Sequence, residues 1–317
     1  MKFKKILVYN IDRAKSLDPQ SWKKIESLGN KIVFVPKDYP KLKMELADAD
    51  CVLVNFGTTI GREEIDSAHQ LKYIGIMATA FGKIDTTYAK KKKIIVSNLK
   101  GYSTEAVAEF IFAAILEHSR NLEEGKIRGR SGNYSEAGVS ARELKDKIFG
   151  VVGLGTIGQR VAEIALGFGA DVRYWSRNRK KDYEKKGVKY EDLDELITEA
   201  DYLSINLAQT KDTEGILNKT RFQKLKNGAI VINTAPMELI DIDGLEQGLK
   251  KKDITFILDH SDEMSEEDLK KISKYRNCLI YPPIAYVSRE AADNKKKIFV
   301  GNIEAFLKGK PQNVVNL

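Results

Sequence analysis

Ile148-Phe149-Gly150-Val151-Val152-Gly153-Leu154-Gly155-Thr156-Ile157-Gly158 decides the fold of this chain. A short apolar, β-rich run leads directly into G-x-G-x-x-G, and a helical pattern follows. That context on both sides separates a dinucleotide-binding turn from a chance set of glycines. Gly153 permits the tight turn from strand to helix, Gly155 lets the backbone approach a pyrophosphate, and Gly158 lets the helix pack close to the strand. The start of the helix, at Thr156 and Ile157, then offers free N–H groups and a positive dipole end to the phosphates.

The next strand should end about 20 residues on, where an NAD site carries an Asp or Glu for the ribose 2′-hydroxyl. The candidate strand, Asp171-Val172-Arg173-Tyr174-Trp175, runs instead into Ser176, Arg177, Asn178, Arg179, Lys180 and Lys181. A carboxylate there would repel a 2′-phosphate. A small hydroxyl with arginine beside it accepts one through charge-assisted hydrogen bonds. The residues therefore read as NADP (NADPH) in preference to NAD, with Ser176, Arg177, Asn178 and Arg179 as the discriminating set. The plainer alternative is a solvated turn in a lysine-rich chain.

With 317 residues, 42% of them apolar, the chain is long enough for two domains with separate cores. No run approaches the ~18 uninterrupted apolar residues of a membrane span. Met1 to Tyr9 reads as a first β-strand, because its apolar part is short and no small-residue cleavage site follows. Cys51 and Cys278 both sit in apolar strand-like runs and read as buried free thiols. No Cys/His cluster has metal-ligand spacing. The net charge of +8 is spread over many helix faces, as at Lys90 to Lys93 and Lys250 to Lys252, and does not form a nucleic-acid footprint. The expectation is a cytoplasmic protein with neither a membrane nor a nucleic-acid partner.

Along the chain, strand candidates at Ile6–Tyr9, Ile32–Val35, Cys51–Asn55, Tyr73–Met77 and Ile94–Val96 alternate with amphipathic stretches such as Pro19–Leu28 and Gly61–Gln70. That rhythm argues for a parallel sheet covered by helices on both faces. A long helix starts near Ser103, with Val107, Phe110, Ile111 and Ala114 at helical spacing, and ends at Arg120-Asn121. Glu123 to Val139, polar and holding four glycines, reads as a surface excursion. After the glycine turn, further strands are expected at Tyr202–Leu207, Ala229–Asn233, Thr255–Asp259 and Cys278–Tyr281. The amphipathic stretch Arg289–Leu307 returns to the first domain. The expected fold class is α/β with two doubly wound parallel sheets. Residues 1–98 plus 288–317 form a substrate domain, and residues 99–287 an inserted Rossmann domain.

Taken together, these residues are similar to the D-2-hydroxyacid dehydrogenases. The resemblance runs nearly end to end. It is carried by Leu71-Lys72-Tyr73-Ile74-Gly75, the run Asn98 to Glu109, Gly153–Gln159, Ala200-Asp201-Tyr202-Leu203-Ser204, Gly228 to Ala235 and the Leu258-Asp259 pair, and is nearest the glycerate dehydrogenase (hydroxypyruvate reductase) branch. It implies a flavodoxin-like substrate domain, a cleft with nicotinamide at its floor, and a homodimer through the nucleotide domain. It also implies that Val107, Leu207, Ala208, Thr213, Thr234, Ala235 and Asp259 belong to the cofactor site.

The family's chemistry needs an arginine to grip the substrate carboxylate, a histidine to move the hydroxyl proton and a glutamate to orient that histidine. The arginine follows Asn-Thr-Ala in the family; here Asn233-Thr234-Ala235 is followed by Pro236. The histidine follows a proline past the last strand; here Pro282 is followed by Pro283. The glutamate register falls on Met264, with Glu263 one residue short. The substrate loop departs too: Ala78, Thr79 and Ala80 stand where the family prefers glycines, and their methyl groups crowd the main chain that should meet a carboxylate.

Among the three histidines, His69 and His118 fall on helical stretches and read as surface residues. His260 follows Asp259 and is the one placed near the nicotinamide side, although an ordinary strand-end side chain would look the same. Tyr286 and Tyr102 are further candidates for proton donation, and Glu263 is a candidate within an otherwise solvated acidic run. The expected function is an NADP-dependent oxidoreductase acting on a non-standard small-molecule acceptor. The alternative is a non-catalytic NADP(H)-binding protein, a pseudoenzyme acting as a sensor or partner subunit.

Overall fold

The computed structural model describes residues 2–317. They form two compact units: residues up to Ser103 together with Arg289–Leu317, and Thr104–Ser288.

The first unit is built on β1 (Phe3–Tyr9), β2 (Gly29–Val35), β3 (Cys51–Val54), β4 (Tyr73–Ile76) and β5 (Ile95–Ser97), in the parallel order β2-β1-β3-β4-β5. The near-continuous apolar run of β1 suits a central parallel strand, buried on both faces. Asp50, just ahead of β3, locks β3 to β1 by accepting the N–H groups of Lys4 and Lys5, both at 3.0 Å. The Pro19–Ser27 helix starts as its sequence demands: Asp18 accepts the Ser21 N–H at 2.9 Å, Pro19 opens the first turn, and Trp22 and Ile25 face inward. The Arg289–Leu307 helix packs on the same side, bringing Phe299, Val300 and Ile303 against Phe3, Ile6 and Ile25.

The second unit holds β6 (Ile148–Val152), β7 (Asp171–Trp175), β8 (Lys189–Tyr190), β9 (Tyr202–Ile205), β10 (Ile230–Asn233), β11 (Thr255–Leu258) and β12 (Cys278–Ile280). Their order is β12-β11-β10-β9-β6-β7-β8, all pairs parallel. Successive side chains feed opposite faces. Val231 and Phe256 join the layer of Leu196 and Leu203, whereas Ile232 and Ile257 join the layer of Phe112 and Phe149. Asp201 repeats the Asp50 device, accepting the Ile148 N–H at 3.0 Å to tie β9 to β6. The order reverses between β6 and β9, the place where open α/β sheets bind ligands.

Three local expectations change. The excursion after Asn121 is exposed, but its first half is a helix, Leu122–Arg130, with no buried residue. Glu123 and Glu124 in its first turn and Arg128 and Arg130 in its last suit the helix dipole, and Arg128 Nε meets Glu124 at 2.7 Å. These terms outweigh Gly125 and Gly129, which argued against a helix. His118 is half-buried, with Nε2 2.9 Å from Thr255 Oγ1. Burial, with the Arg142 charge beside it, holds its imidazole below the usual range. His69 lies in an exposed turn rather than on a helix.

Cys51 and Cys278 are buried and unpaired, and burial pushes the Cys278 thiol up to about 12. Neither supplies a thiolate near neutral pH. Among the described residues no helix is long and apolar enough to cross a membrane, and no group of three or more His, Cys, Asp or Glu is arranged to hold a metal.

Candidate functional site

All seven strands of the second unit are parallel, so their carboxyl ends share one edge, and the glycine turn leaves β6 there. Gly153 has φ +99°, and a Cβ on it would sit 2.7 Å from the Asn206 carbonyl oxygen, just beyond β9. The turn is therefore pressed into the switch point. Gly158 is closed in as well: a Cβ would run into the Gly153 carbonyl. Gly155 differs from both. It is exposed, lies in extended backbone, and a Cβ would have nothing within 4 Å. It precedes the Thr156–Gly167 helix and provides no side-chain cap, so it leaves the first N–H groups of that helix without a capping acceptor. This cradle fits a dinucleotide pyrophosphate. Val107 and Ile157 pack beneath it in the apolar layer of Val151 and Leu154.

At the end of β7, Ser176 is buried and its hydroxyl donates to the Asn178 carbonyl at 2.7 Å, shaping the turn. Arg177 is 69% exposed, with Asp212 at 3.7 Å. Arg179 is engaged, paired through two nitrogens with Glu184 at 3.0 and 2.6 Å and lying over the Tyr190 ring. Arg177 is thus the freer cation beside Ser176. Beyond β9, Leu207 packs on the apolar layer and Thr213 ties the next loop, accepting the Thr210 N–H and donating to the Ala208 carbonyl, both at 2.8 Å. Beyond β10, Asn233 holds its own turn by donating to the Ala235 carbonyl at 2.9 Å. Thr234 is half-buried and Ala235 buried.

The positions where the resemblance expects catalytic side chains converge on this edge. Pro236 opens a short 3-10 turn, Met237–Leu239. Met264 packs into the apolar layer. Glu263 turns the other way, and its Oε2 accepts the Met237 N–H at 3.1 Å. His260 lies between carboxylates: Nδ1 is 3.6 Å from Glu263 Oε1 and 3.9 Å from Asp262, and Nε2 is 3.6 Å from Asp259 Oδ1. Asp259 is fully buried. Its Oδ2 accepts the Ala285 N–H at 2.6 Å, while Oδ1 has no hydrogen-bond partner. Burial raises the Asp259 and Glu263 carboxyls above their ordinary range, against the opposing pull of their backbone N–H donors and of His260. The Tyr281–Ala285 loop carrying Pro283 is stitched to β11 by Tyr281 N–H to Leu258, 2.8 Å, and by Ala285 to Asp259. Tyr286 just beyond is exposed.

In the first unit, Ala78, Thr79 and Ala80 follow β4. The Thr79 hydroxyl donates to the Leu99 carbonyl at 3.1 Å, and the Asn98 amide donates to the Thr79 carbonyl at 2.6 Å. Tyr102 is half-buried against the apolar layer of Phe3 and Leu99.

Sequence reasoning missed the link between Glu263 and Met237, and with it the orientation of Glu263. A readable sign existed. His260 and Glu263 are three apart across a short 3-10 turn, Ser261–Glu263, and side chains at that spacing eclipse one another in such a turn.

Comparison with known proteins agrees with this architecture. Residues 112–285 match the family model for the NAD-binding domain of D-isomer specific 2-hydroxyacid dehydrogenases. A hydroxypyruvate reductase of Blautia hydrogenotrophica is 31% identical over 308 residues, 93% of this chain and 94% of that protein. The structure of a D-lactate dehydrogenase from Aquifex aeolicus with NAD and lactic acid superimposes with a TM-score of 0.84 at 28% identity, covering 98% of this chain and 99% of that one. An acyclic imino acid reductase in complex with NADPH and D-Arg gives the same TM-score, 0.84, at 29% identity and the same coverage, 98% and 99%.

Proposed function

Because the chain belongs to the D-isomer specific 2-hydroxyacid dehydrogenases, a family that binds nicotinamide dinucleotides, we propose that it is an NADPH-dependent reductase whose acceptor is not a simple 2-oxo acid. One contrast supports the reading: the turn at Gly153, Gly155 and Gly158 has the geometry of a nucleotide cradle, whereas the resemblance puts Pro236 and Pro283 where the family has its carboxylate grip and its acid.

When bound, the reduced nicotinamide supplies a hydride. The chain's own residues do the rest. The helix start at Thr156 and Ile157 would hold the pyrophosphate. Arg177, exposed beside Ser176, would take the 2′-phosphate. Asp259, buried with Oδ1 unpaired, would accept an amide N–H of the nicotinamide, which offsets the cost of leaving that oxygen orphaned. Proline carries neither charge nor proton, so an acceptor that needs little activation, such as an imine or a conjugated carbonyl, suits the remaining groups. The likeness to a reductase of acyclic imino acids that binds NADPH supports this direction.

The same two prolines favour a second reading, a nucleotide-binding protein without catalysis. Fluorescence titration with NADPH and NADH, followed by single-turnover mixing of the better complex with glyoxylate, hydroxypyruvate and a panel of imines and enones, separates the two. Micromolar NADPH binding with oxidation confined to the imines and enones is expected. Tight binding with no oxidation across the panel favours the second reading. Rapid oxidation by glyoxylate refutes the argument from the prolines.

A further inference from the structure

We propose that His260 delivers the proton in this reaction and that Glu263 positions it, a pair built within a single turn after β11. The inference rests on the reductase reading above. The family's acid and its orienting glutamate come from separate segments, and their positions hold Pro283 and Met264 here. The substitute is local. The Ser261–Glu263 turn puts His260 and Glu263 on one side, with Nδ1 3.6 Å from Glu263 Oε1. Glu263 is not free to swing, because its other oxygen is held by the Met237 N–H at 3.1 Å. The remaining ring nitrogen, Nε2, lies 3.6 Å from Asp259 Oδ1, so both ring nitrogens stand just beyond hydrogen-bond distance of a carboxylate; Glu263 is held on the Nδ1 side by Met237, whereas Asp259 Oδ1 is buried and unpartnered. A polar side chain buried on one strand end and aimed at an imidazole on the next residue marks a place prepared for a ligand atom.

The charged groups facing this ring are all carboxylates among the described residues: Asp259, Asp262 and Glu263, with Glu238 behind Glu263. The side chain is 22% exposed, so water reaches it. In the step itself, hydride adds to the carbonyl carbon and the π pair moves onto oxygen. That oxygen takes the proton from the His260 ring, and the reduced nicotinamide leaves oxidised. The ring is then neutral, with Glu263 beside it, and regains its proton from water.

The test compares two acceptors in the full-length protein. 4-Nitrobenzaldehyde needs both hydride and proton; the N-methyl-3,4-dihydroisoquinolinium ion needs hydride alone. H260Q should slow NADPH oxidation by the aldehyde about 10²-fold or more, and by at least about 10-fold more than it slows oxidation by the iminium. E263Q should slow the aldehyde reaction by a smaller factor, on the order of 10-fold, and H260Q/E263Q should be no slower than H260Q, since Glu263 acts through the histidine. Independently of turnover, carbethoxylation mapped by mass spectrometry should show His260 protected at least about 10-fold by saturating NADP+, with exposed His69 unaffected. Equal loss on both acceptors, no loss on either, or an unprotected His260 overturns the proposal. A wild-type protein that binds NADPH and reduces the iminium but not the aldehyde overturns the proton role alone, and one that reduces neither acceptor overturns the reductase reading and the proton role with it.

Discussion

Adding one methyl group at Gly155 and at Gly158 should give opposite phenotypes. At Gly155 the backbone is already extended, φ −79° and ψ −162°, and a Cβ would have no heavy atom within 4 Å. Alanine there loses a little as a helix N-cap and gains from a less flexible unfolded chain, terms of roughly 0.5–1 kcal/mol that oppose each other. Net stability should change by less than about 0.5 kcal/mol. The methyl does occupy the space a pyrophosphate must enter, and losing one or two charge-assisted hydrogen bonds at ~1.5–3 kcal/mol each weakens NADPH binding at least ~10-fold. At Gly158 the methyl meets the Gly153 carbonyl oxygen and lies 3.2 Å from Val151 Cγ1. That obstacle is backbone and cannot rotate away, so the helix has to lift from β6. Overpacking costs about 1–3 kcal/mol, and a rigid obstacle puts this site at the upper end. For a unit of this size ~3 kcal/mol is a loss of about 6–12 °C in Tm. Thermal melts followed by intrinsic fluorescence and NADPH titrations on the same preparations read both quantities. G155A that loses as much Tm as G158A, or that binds NADPH as wild type does, refutes the assignment of the cradle.

Other expectations follow from single residues. R177A should weaken NADPH binding about 10-fold and leave NADH binding unchanged, since a charge-assisted contact is worth ~1.5–3 kcal/mol; R179A should do less, because Glu184 already holds that guanidinium. Equal effects of the two variants on fluorescence-derived Kd would count against Arg177 as the discriminating residue. D50A should cost about 2–4 kcal/mol in a urea melt, because two N–H groups of β1, one buried and one partly buried, lose their acceptor; a change below about 1 kcal/mol would show that water replaces it. Burial raises the Glu263 carboxyl in the folded state, so its ionisation costs stability as pH climbs past the ordinary carboxyl range, and that cost is absent at lower pH. E263Q keeps an acceptor for the Met237 N–H and should therefore melt higher than wild type at pH 8 and equally at pH 4. A lower Tm at pH 8 would show that the ionised carboxylate is net stabilising.

How much of this was legible in the residues depends on the range of the force involved. The glycine turn could be read because its requirements are local. A positive φ at Gly153, a bare Gly155 and a small Gly158 follow from backbone sterics within six residues, and the structure has a positive φ at the first, open space at the second and a close backbone contact at the third. The strands could be read because a buried parallel strand must be apolar along its length, as β6 and β10 are. The Leu122–Arg130 helix was less legible, because its charge pattern and its glycines gave contrary local indications.

Residues whose state is decided by a distant partner were not legible in this way. His118 looked like a surface residue until the fold placed Thr255 beside it, 137 positions away in the chain. Arg179 is a nearer case: it looked as free as Arg177, although Glu184, which pairs with it, is only five residues on. Glu263 looked like one more solvated acid in a run of them, and Met264 like the residue in register. The turn after β11, meeting the Met237 N–H after β10, reverses those two assignments. By itself the sequence determined the fold class and the nucleotide turn, because backbone geometry and periodicity act at short range. Only the tertiary structure decided what holds Glu263 in place, because that rests on the Met237 N–H, delivered by a neighbouring strand end 26 residues away.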